Sequence, residues 1–168
     1  MQRYNTFNMI HKSLKAMLYD TALSRQQTYF ADAAETALAF EKMNEVINEV
    51  IIAFEKHGMH EDTILMPVIA TYDPAMIASF EDEHKEDLSL GNKLMHLQNV
   101  YNATASDEEK VIAGSVITRA FRDYMIFNLE HMQREEVELN QLLWDYYSDK
   151  ELLEINARIV AGIPPAEL

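Results

Sequence analysis

Apolar residues recur along most of the chain three or four positions apart, which is the spacing of one face of an α-helix. The pattern predicts four long helices and a short fifth one, with bounds near Thr6–Gln27, the low thirties to Tyr72, Asp73–Tyr101, Ser106–Tyr147 and Ser148–Gly162. The apolar stripes include Phe7, Ile10, Leu14, Leu18, Leu38, Val46, Val50, Phe54, Ile77, Phe80, Leu88, Leu94, Met95, Ile117, Phe121, Leu139, Leu142, Leu152 and Ile155.

The ends of these helices carry recognisable signals. Asp73 can cap the third helix and Pro74 suits its first turn, whereas Pro67 should kink or end the second helix. Pro164 and Pro165 should stop the fifth. Two capping boxes are predicted, formed by Ser106 with Glu109 and by Ser148 with Glu151. Short connections favour antiparallel neighbours, so we expect an all-α, up-down-up-down four-helix bundle with a short C-terminal fifth helix.

The composition narrows the class of protein. The 168 residues suit one domain spanning 1–168. The absence of Cys excludes disulfides and thiolate metal sites. A net charge of −14 disfavours nucleic acid and anionic membranes as partners. The N-terminal residues show no apolar signal-peptide core, and no apolar run approaches the roughly 20 residues that span a bilayer. We therefore expect a cytoplasmic protein, and its oligomeric state stays open, with a homodimer among the options.

The histidines follow the predicted helices. Six His are present, and each long helix carries one within its apolar stripe. These four are His11, His57, His84 and His131. At about 1.5 Å of rise per residue, the helix lengths around each connection bring His57, His84 and His131 to nearly the same height. His11 joins that level if a loop of several residues surrounds Thr28–Asp32.

Two of these His are followed by Glu one helical turn later, in His57-Gly-Met-His-Glu61 and His131-Met-Gln-Arg-Glu135. Residues i and i+4 share a helix face, so both Glu should point into the core. A lone buried carboxylate is costly or takes up a proton, and a pair of metal cations would satisfy both. The predicted metal ligands are His11, His57, Glu61, His84, His131 and Glu135.

Each part of this pattern has a simpler explanation when taken alone. A single buried His is more often a hydrogen-bonded core residue, and His-x-x-x-Glu is common as a surface salt bridge. The combination of four inward-facing His on four helices, two of them followed by an inward-facing Glu, favours a metal site. His60 is expected to face a neighbouring helix rather than the site, and His96 to lie on the surface. The acidic residues expected on solvated faces are Asp62, Glu130, Glu136 and Glu138.

The motifs His57-x-x-x-Glu61-Asp62-x-x-Leu65-x-Pro67 and His131-x-x-x-Glu135-Glu136-x-x-Leu139 resemble the hemerythrin-like, or HHE cation-binding, family. The isolated His11 and the Glu83-His84 pair complete the resemblance, which covers nearly the whole chain. It implies two iron ions with an oxo or hydroxo bridge, bridged also by Glu61 and Glu135 and held by the four His. Manganese or zinc would suit the same donors.

Two positions depart from the oxygen-carrying members of that family: Leu88 stands where those proteins have a further His, and Glu136 stands where they have an Asp five residues after the last His. Gly58 replaces an acidic residue of some members of the family, which would leave one iron less fully ligated. These differences point to the broader cation-binding group. A ferritin-like di-iron bundle is disfavoured because it needs two Glu-x-x-His pairs and Glu81-x-x-His84 is a single one.

Three functions stay open at this point. The first is a metal-binding protein that binds or senses oxygen, nitric oxide or iron, with a small diatomic ligand. The second is a di-iron enzyme acting on peroxide, and the third is a metal-free interaction bundle. Phe54, Phe80 and Phe127 would form apolar walls around the site, and Tyr124 either orients a His or, more simply, packs in the core.

Overall fold

The computed structural model describes residues 3–28 and 32–162, and nearly all of them are helical. The α-helices in these ranges are α1 (Asn8–Gln27), α2 (Ala33–His60), α3 (Met66–Ile69), α4 (Pro74–Ala103), α5 (Asp107–Arg134), α6 (Asn140–Tyr146) and α7 (Asp149–Gly162). Two π-helical segments, Glu61–Leu65 and Glu135–Leu139, join α2 to α3 and α5 to α6 without a break.

The long helices form the predicted bundle. Helix α5 packs against α1, α2 and α4, and α2 also contacts α1 and α4. Gly91 of α4 lies against Ile51 of α2, while Gly58, further along α2, lies against His84, which comes earlier on α4. The two helices therefore run antiparallel. Helix α7 packs against the first π segment and buries Leu152 and Ile155.

The core consists of two apolar clusters separated along the bundle. One contains residues such as Leu14, Leu18, Ile47, Phe54, Leu94 and Phe121. The other contains residues such as Phe7, Leu65, Phe80, Leu139 and Leu152. On every long helix the predicted site residues lie between members of the two clusters, as His11 does between Phe7 and Leu14. The bundle thus encloses a polar layer between two apolar regions.

Side-chain caps fix where the helices begin. Asp32 and Asp73 accept backbone N–H bonds from Glu35 and Met76 at 3.0 and 2.9 Å. The box at Ser148 is confirmed in both directions, since Glu151 Oε2 accepts the Ser148 N–H at 2.8 Å and Ser148 Oγ accepts the Glu151 N–H. At α5, Ser106 Oγ accepts the Glu109 N–H, as the box predicts, and the Ser106 hydroxyl donates to Glu108 Oε2.

Both π segments begin at the Glu of a His-x-x-x-Glu motif. The Met66 N–H bonds the carbonyl of Glu61, and the Asn140 N–H bonds that of Glu135, five residues back in each case. The irregularity predicted at Pro67 appears as the first of these wide turns, directly before the proline. The second π segment contains no proline, so proline alone does not explain them. Single π turns of this kind are frequent at functional sites.

Several residues of the predicted apolar stripes are on the surface instead. Ile10, Leu38, Leu88 and Met95 are exposed, because they stand at the edges of stripes whose centres already fill the core. The predicted α1–α2 loop lies partly outside the described residues, as does the stop signal at Pro164 and Pro165. Among the described helices, none combines the length and apolar character that crossing a bilayer requires.

Candidate metal centre

Six side chains from the four long helices meet in the polar layer. They are His11 of α1, His57 of α2, His84 of α4, His131 of α5, and Glu61 and Glu135 at the starts of the π segments. Their donor atoms form two groups, each with all atoms within 4.8 Å of one another: His11 and His57 with both Glu, and His84 and His131 with both Glu. The two carboxylates belong to both groups. The arrangement therefore offers two adjacent positions for a metal ion, with Glu61 and Glu135 shared between them.

Each carboxylate directs its two oxygens to different groups. Glu61 Oε1 lies 3.3 Å from His57 Nε2, and its Oε2 lies 3.4 Å from His84 Nε2. Glu135 Oε2 lies 3.3 Å from His11 Nε2, and its Oε1 lies 3.3 Å from His131 Nε2. This is the placement that bridging of two cations by a carboxylate requires.

The two carboxylates are buried and lack ordinary hydrogen-bond partners. Glu61 and Glu135 are 4% and 0% exposed. Neither oxygen of either carboxylate, nor His84 Nε2, makes a hydrogen bond within the described parts of the chain. A buried carboxylate without hydrogen bonds or a counter-charge is strongly unfavourable. The imidazole and carboxylate set matches the ligands of first-row metal cations, so the residues present fit a pair of metal ions.

Without a cation, the site is electrostatically uneven. Burial, followed by the charge of Glu135, raises the pKa of Glu61 to about 7. Burial acts on Glu135 in the same direction, but the close approach of His11, His131 and His84 lowers its pKa well below the ordinary range. Burial lowers the pKa of His57 to about 3. His57 is therefore a neutral imidazole with a lone pair to offer, which is the form that binds metal.

Three of the four His are oriented by a carboxylate on the other ring nitrogen. Nδ1 of His84 lies 2.7 Å from Asp62, and Nδ1 of His131 lies 2.7 Å from Glu83. Nδ1 of His11 lies 3.0 Å from Glu136. In a neutral imidazole, a carboxylate at Nδ1 favours the proton on that nitrogen, which leaves the Nε2 lone pair toward the centre. Without a cation, burial alone would lower the pKa of His84, but the adjacent Glu135 and Glu61 raise it to about 11.

Two of these carboxylates are tied in turn to a cation. Lys15 Nζ donates to Glu136 at 2.6 Å, and Arg134 forms an ion pair with Glu83 while lying over the Phe80 ring. The interpretation of Glu136 as a solvated residue was therefore wrong, and that of Asp62 incomplete, because Asp62 is exposed yet also contacts His84. The signal in the sequence is that Asp62 directly follows Glu61 and Glu136 directly follows Glu135.

Aromatic residues enclose the His131 side. The Phe127 ring stacks on His131 at 6.2 Å and 4°, and Phe80 lies 5.9 Å from the same ring. Tyr124 packs against Phe54 and Phe121, which supports its core-packing interpretation. His96 is exposed and His60 half-buried, and neither joins the two donor groups found among the described residues.

Comparison with known proteins agrees with this geometry. The family described as hemerythrin HHE cation binding domain matches residues 3–143, most of the chain. The protein therefore belongs to the hemerythrin-like, HHE cation-binding family. No curated protein matches the chain.

Proposed function

We propose that the protein holds a dinuclear non-haem iron centre and uses it to bind or sense oxygen, nitric oxide or iron. The observation that carries this proposal is the pair of donor groups sharing Glu61 and Glu135. With two His and two bridging carboxylates, each position has room for a further small ligand, for which a diatomic molecule is our first candidate. Iron pairs supply reversible oxidation and ligand binding when present in such a site.

The chain's own residues account for the conditions that this role needs. Asp62, Glu83 and Glu136 orient three imidazoles. The His11 side chain is fully buried, and the Phe80 and Phe127 rings pack against His131. Because the oxygens of Glu61 and Glu135 have no competing hydrogen bonds within residues 3–28 and 32–162, they remain available to cations.

The test is to purify the protein from iron-replete cells, count metals per chain, and titrate the reduced form with nitric oxide. We expect about two iron ions per chain, as in dinuclear sites, with near-ultraviolet absorption of an oxygen-bridged iron pair. A metal count near zero after reconstitution would remove the proposal. The variant His84→Ala should lower the metal count. The matched control is His96→Ala, at an exposed His outside the site, which should leave the metal count unchanged.

A second candidate is an enzyme acting on peroxide. The observation in its favour is a cavity that reaches His57, His84 and His131 from outside. Peroxide turnover lost in Glu61→Gln but kept in Glu86→Gln would support it, whereas turnover no faster than that of free iron would dismiss it.

The metal-free interaction bundle is the least supported candidate. It leaves the four buried oxygens of Glu61 and Glu135 without a hydrogen bond from the described residues. It predicts that His57→Ala and a chelator leave the melting temperature nearly unchanged. A cytoplasmic location, without nucleic-acid or membrane partners, remains part of the proposal.

A further inference from the structure

Helix α7 lies beyond the residues that the family description matches. The match ends at residue 143, whereas α7 spans Asp149–Gly162. Helix α7 supplies none of the six donors of the candidate metal centre. It nevertheless packs against the first π segment, Glu61–Leu65, which begins at one of the two shared carboxylates. An element outside the matched domain therefore contacts the turn that carries Glu61.

Two buried side chains and the last residue of α7 make this contact. Leu152 and Ile155 are 0% and 3% exposed, and they belong to the apolar cluster that includes Leu65 of the π segment. At the end of α7, Gly162 lies so close to Ile64 that an added Cβ would be 3.3 Å from Ile64 Cδ1. Helix α7 therefore covers the side of the π segment that faces away from the metal centre.

Hydrogen bonds hold the junction between α6 and α7. Arg3 Nε donates to Asp149 Oδ1 at 2.8 Å, and Arg3 Nη1 donates to the carbonyl of Trp144 at 2.7 Å. Tyr147, which lies between the two helices, donates its hydroxyl to the carbonyl of Val68 at 2.9 Å. These bonds set the direction in which α7 leaves α6, toward the π segment.

The first π segment positions two groups of the metal centre. Glu61 directs one oxygen to His57 and the other to His84. Asp62, the next residue, lies 2.7 Å from Nδ1 of His84 and orients that imidazole. A shift of this segment would therefore displace a shared carboxylate and the support of a second donor together.

The wide turn allows both ends of the segment to face the interior. Because the Met66 N–H bonds the carbonyl of Glu61, five residues back, the segment contains one residue more than an α-helical turn. In a regular α-helix, the removal of that extra residue would rotate the following part by about 100°. Either Glu61 would then leave the centre, or Leu65 and Ile69 would leave the apolar cluster that they share with α7.

Helix α7 is less firmly attached than the long helices. Of its fourteen residues, two are buried. A cavity of about 420 Å³ interrupts its packing on α3, and the lining residues are Val68, Tyr147, Glu151, Glu154, Ile155 and Arg158. Elements with few buried apolar contacts open at a lower free energy than the core does. Undocking of α7 is therefore a local motion that reaches Glu61 without unfolding the bundle.

We propose that α7 is a clamp on the first π segment, which keeps Glu61 and Asp62 in their metal-binding positions while it is docked. Leu152 and Ile155 are positioning residues, because they act on the centre through the π segment. The coupling is reciprocal, since two events that favour the same state stabilise each other by the same factor. Metal in the centre therefore stabilises the docked helix, and occupancy is transmitted to the surface. This inference rests on the proposed metal centre.

The first test measures the affinity for iron(II) in an anaerobic competition titration with a chelator. Leu152→Ala should weaken iron binding by about fivefold or more, which is the lower end of typical coupling between two sites. The matched control is Leu153→Ala, at the adjacent residue of α7, which is 51% exposed. The control should keep the affinity of the original protein, and equal affinity in the two variants would overturn the proposal.

A second control separates positioning from a general loss of stability. Leu94→Ala removes an equally buried side chain from the other apolar cluster. We expect it to lower the urea midpoint of unfolding as Leu152→Ala does, because both leave a cavity in the core, but to keep the iron affinity. If iron affinity falls in both variants in proportion to their loss of stability, α7 has no separate effect on the centre and the proposal fails.

Hydrogen exchange of the unsubstituted protein decides the matter if Leu152→Ala does not fold. Iron loading should slow exchange of the backbone amides across Asp149–Gly162 by about fivefold or more, because the coupling is reciprocal. The last turn of α4, at the other end of the bundle, is the reference segment and should change little, because its amides exchange by local fraying. Exchange in α7 that does not respond to iron would overturn the proposal.

Counting metal in every sample separates this inference from the proposed function. A chain that takes up no metal contradicts the metal centre itself. A chain that holds two iron ions, with the same affinity in Leu152→Ala as in the original protein, contradicts only the role of α7.

Discussion

The substitution Glu61→Gln should change stability in opposite directions in the metal-free and metal-loaded protein. In the metal-free state the folded pKa of Glu61 is raised to about 7 by burial and by Glu135. The folded protein therefore holds this proton more tightly than the unfolded chain does. The contribution of this proton to the free energy of unfolding is fully present below pH 4.5 and is lost as pH rises through about 7.

The magnitude follows from the same two values. The gap between a pKa of about 7 and the ordinary 4.5 corresponds to about 3 kcal/mol, since one pKa unit is about 1.4 kcal/mol. Glutamine has nearly the same shape but no charge, so the metal-free variant should lack this loss. Above pH 7 it should unfold at higher urea concentration than the original protein.

In the metal-loaded protein, Glu61→Gln should be less stable than the original protein. The Glu61 carboxylate then neutralises cations, and glutamine provides neither the charge nor two equivalent oxygens. We expect the loaded variant to bind metal more weakly and to lose most of the stabilisation that ligand binding to the folded state provides.

The assay is urea unfolding with chelator and with saturating iron, at about pH 5 and about pH 8, on either side of the raised pKa. Glu86→Gln, an exposed site on α4, is the control and should follow the original protein throughout. The reasoning is refuted if, without metal, the free energy of unfolding of Glu61→Gln differs from that of the original protein by the same amount at both pH values.

Three further substitutions test other parts of the structure. Asp62→Asn should lower metal affinity by roughly 10- to 100-fold in a competition titration, because it weakens the contact that orients His84; unchanged affinity would contradict that role. Gly114→Ala should cost about 1–3 kcal/mol in urea unfolding, because a Cβ there would lie 2.1 Å from Phe40 Cδ2; a neutral effect would show that Phe40 can move. Arg25→Met should cost about 3 kcal/mol by leaving buried acceptors, among them the Gly114 carbonyl, unpaired, with metal content unchanged; a large loss of metal would mean that Arg25 acts on the site.

The bundle and its inward-facing pairs could be predicted because they depend on local periodicity. The spacing from His57 to Glu61 and from His131 to Glu135 fixes a shared helix face whatever the neighbouring helices do. The structure brings both pairs together with the other two predicted His. Whether the six bind metal is still a prediction.

The supporting contacts could not be predicted in the same way, because they cross between helices. Glu136 reaches His11 from 125 residues away, and Glu83 reaches His131 from 48. Such contacts depend on how each helix is rotated and on the π turns, and periodicity defines a face only to within about one residue. The same uncertainty explains why Leu88 and Ile10 are exposed although the apolar spacing predicts them in the core.

The most direct test of the central claim is anomalous diffraction at the iron edge from crystals of the iron-loaded protein. The account predicts two peaks about 3.5–4 Å apart, one between His11 and His57, the other between His84 and His131, with Glu61 and Glu135 contacting both. A single peak, no peak, or iron bound away from these carboxylates would contradict it.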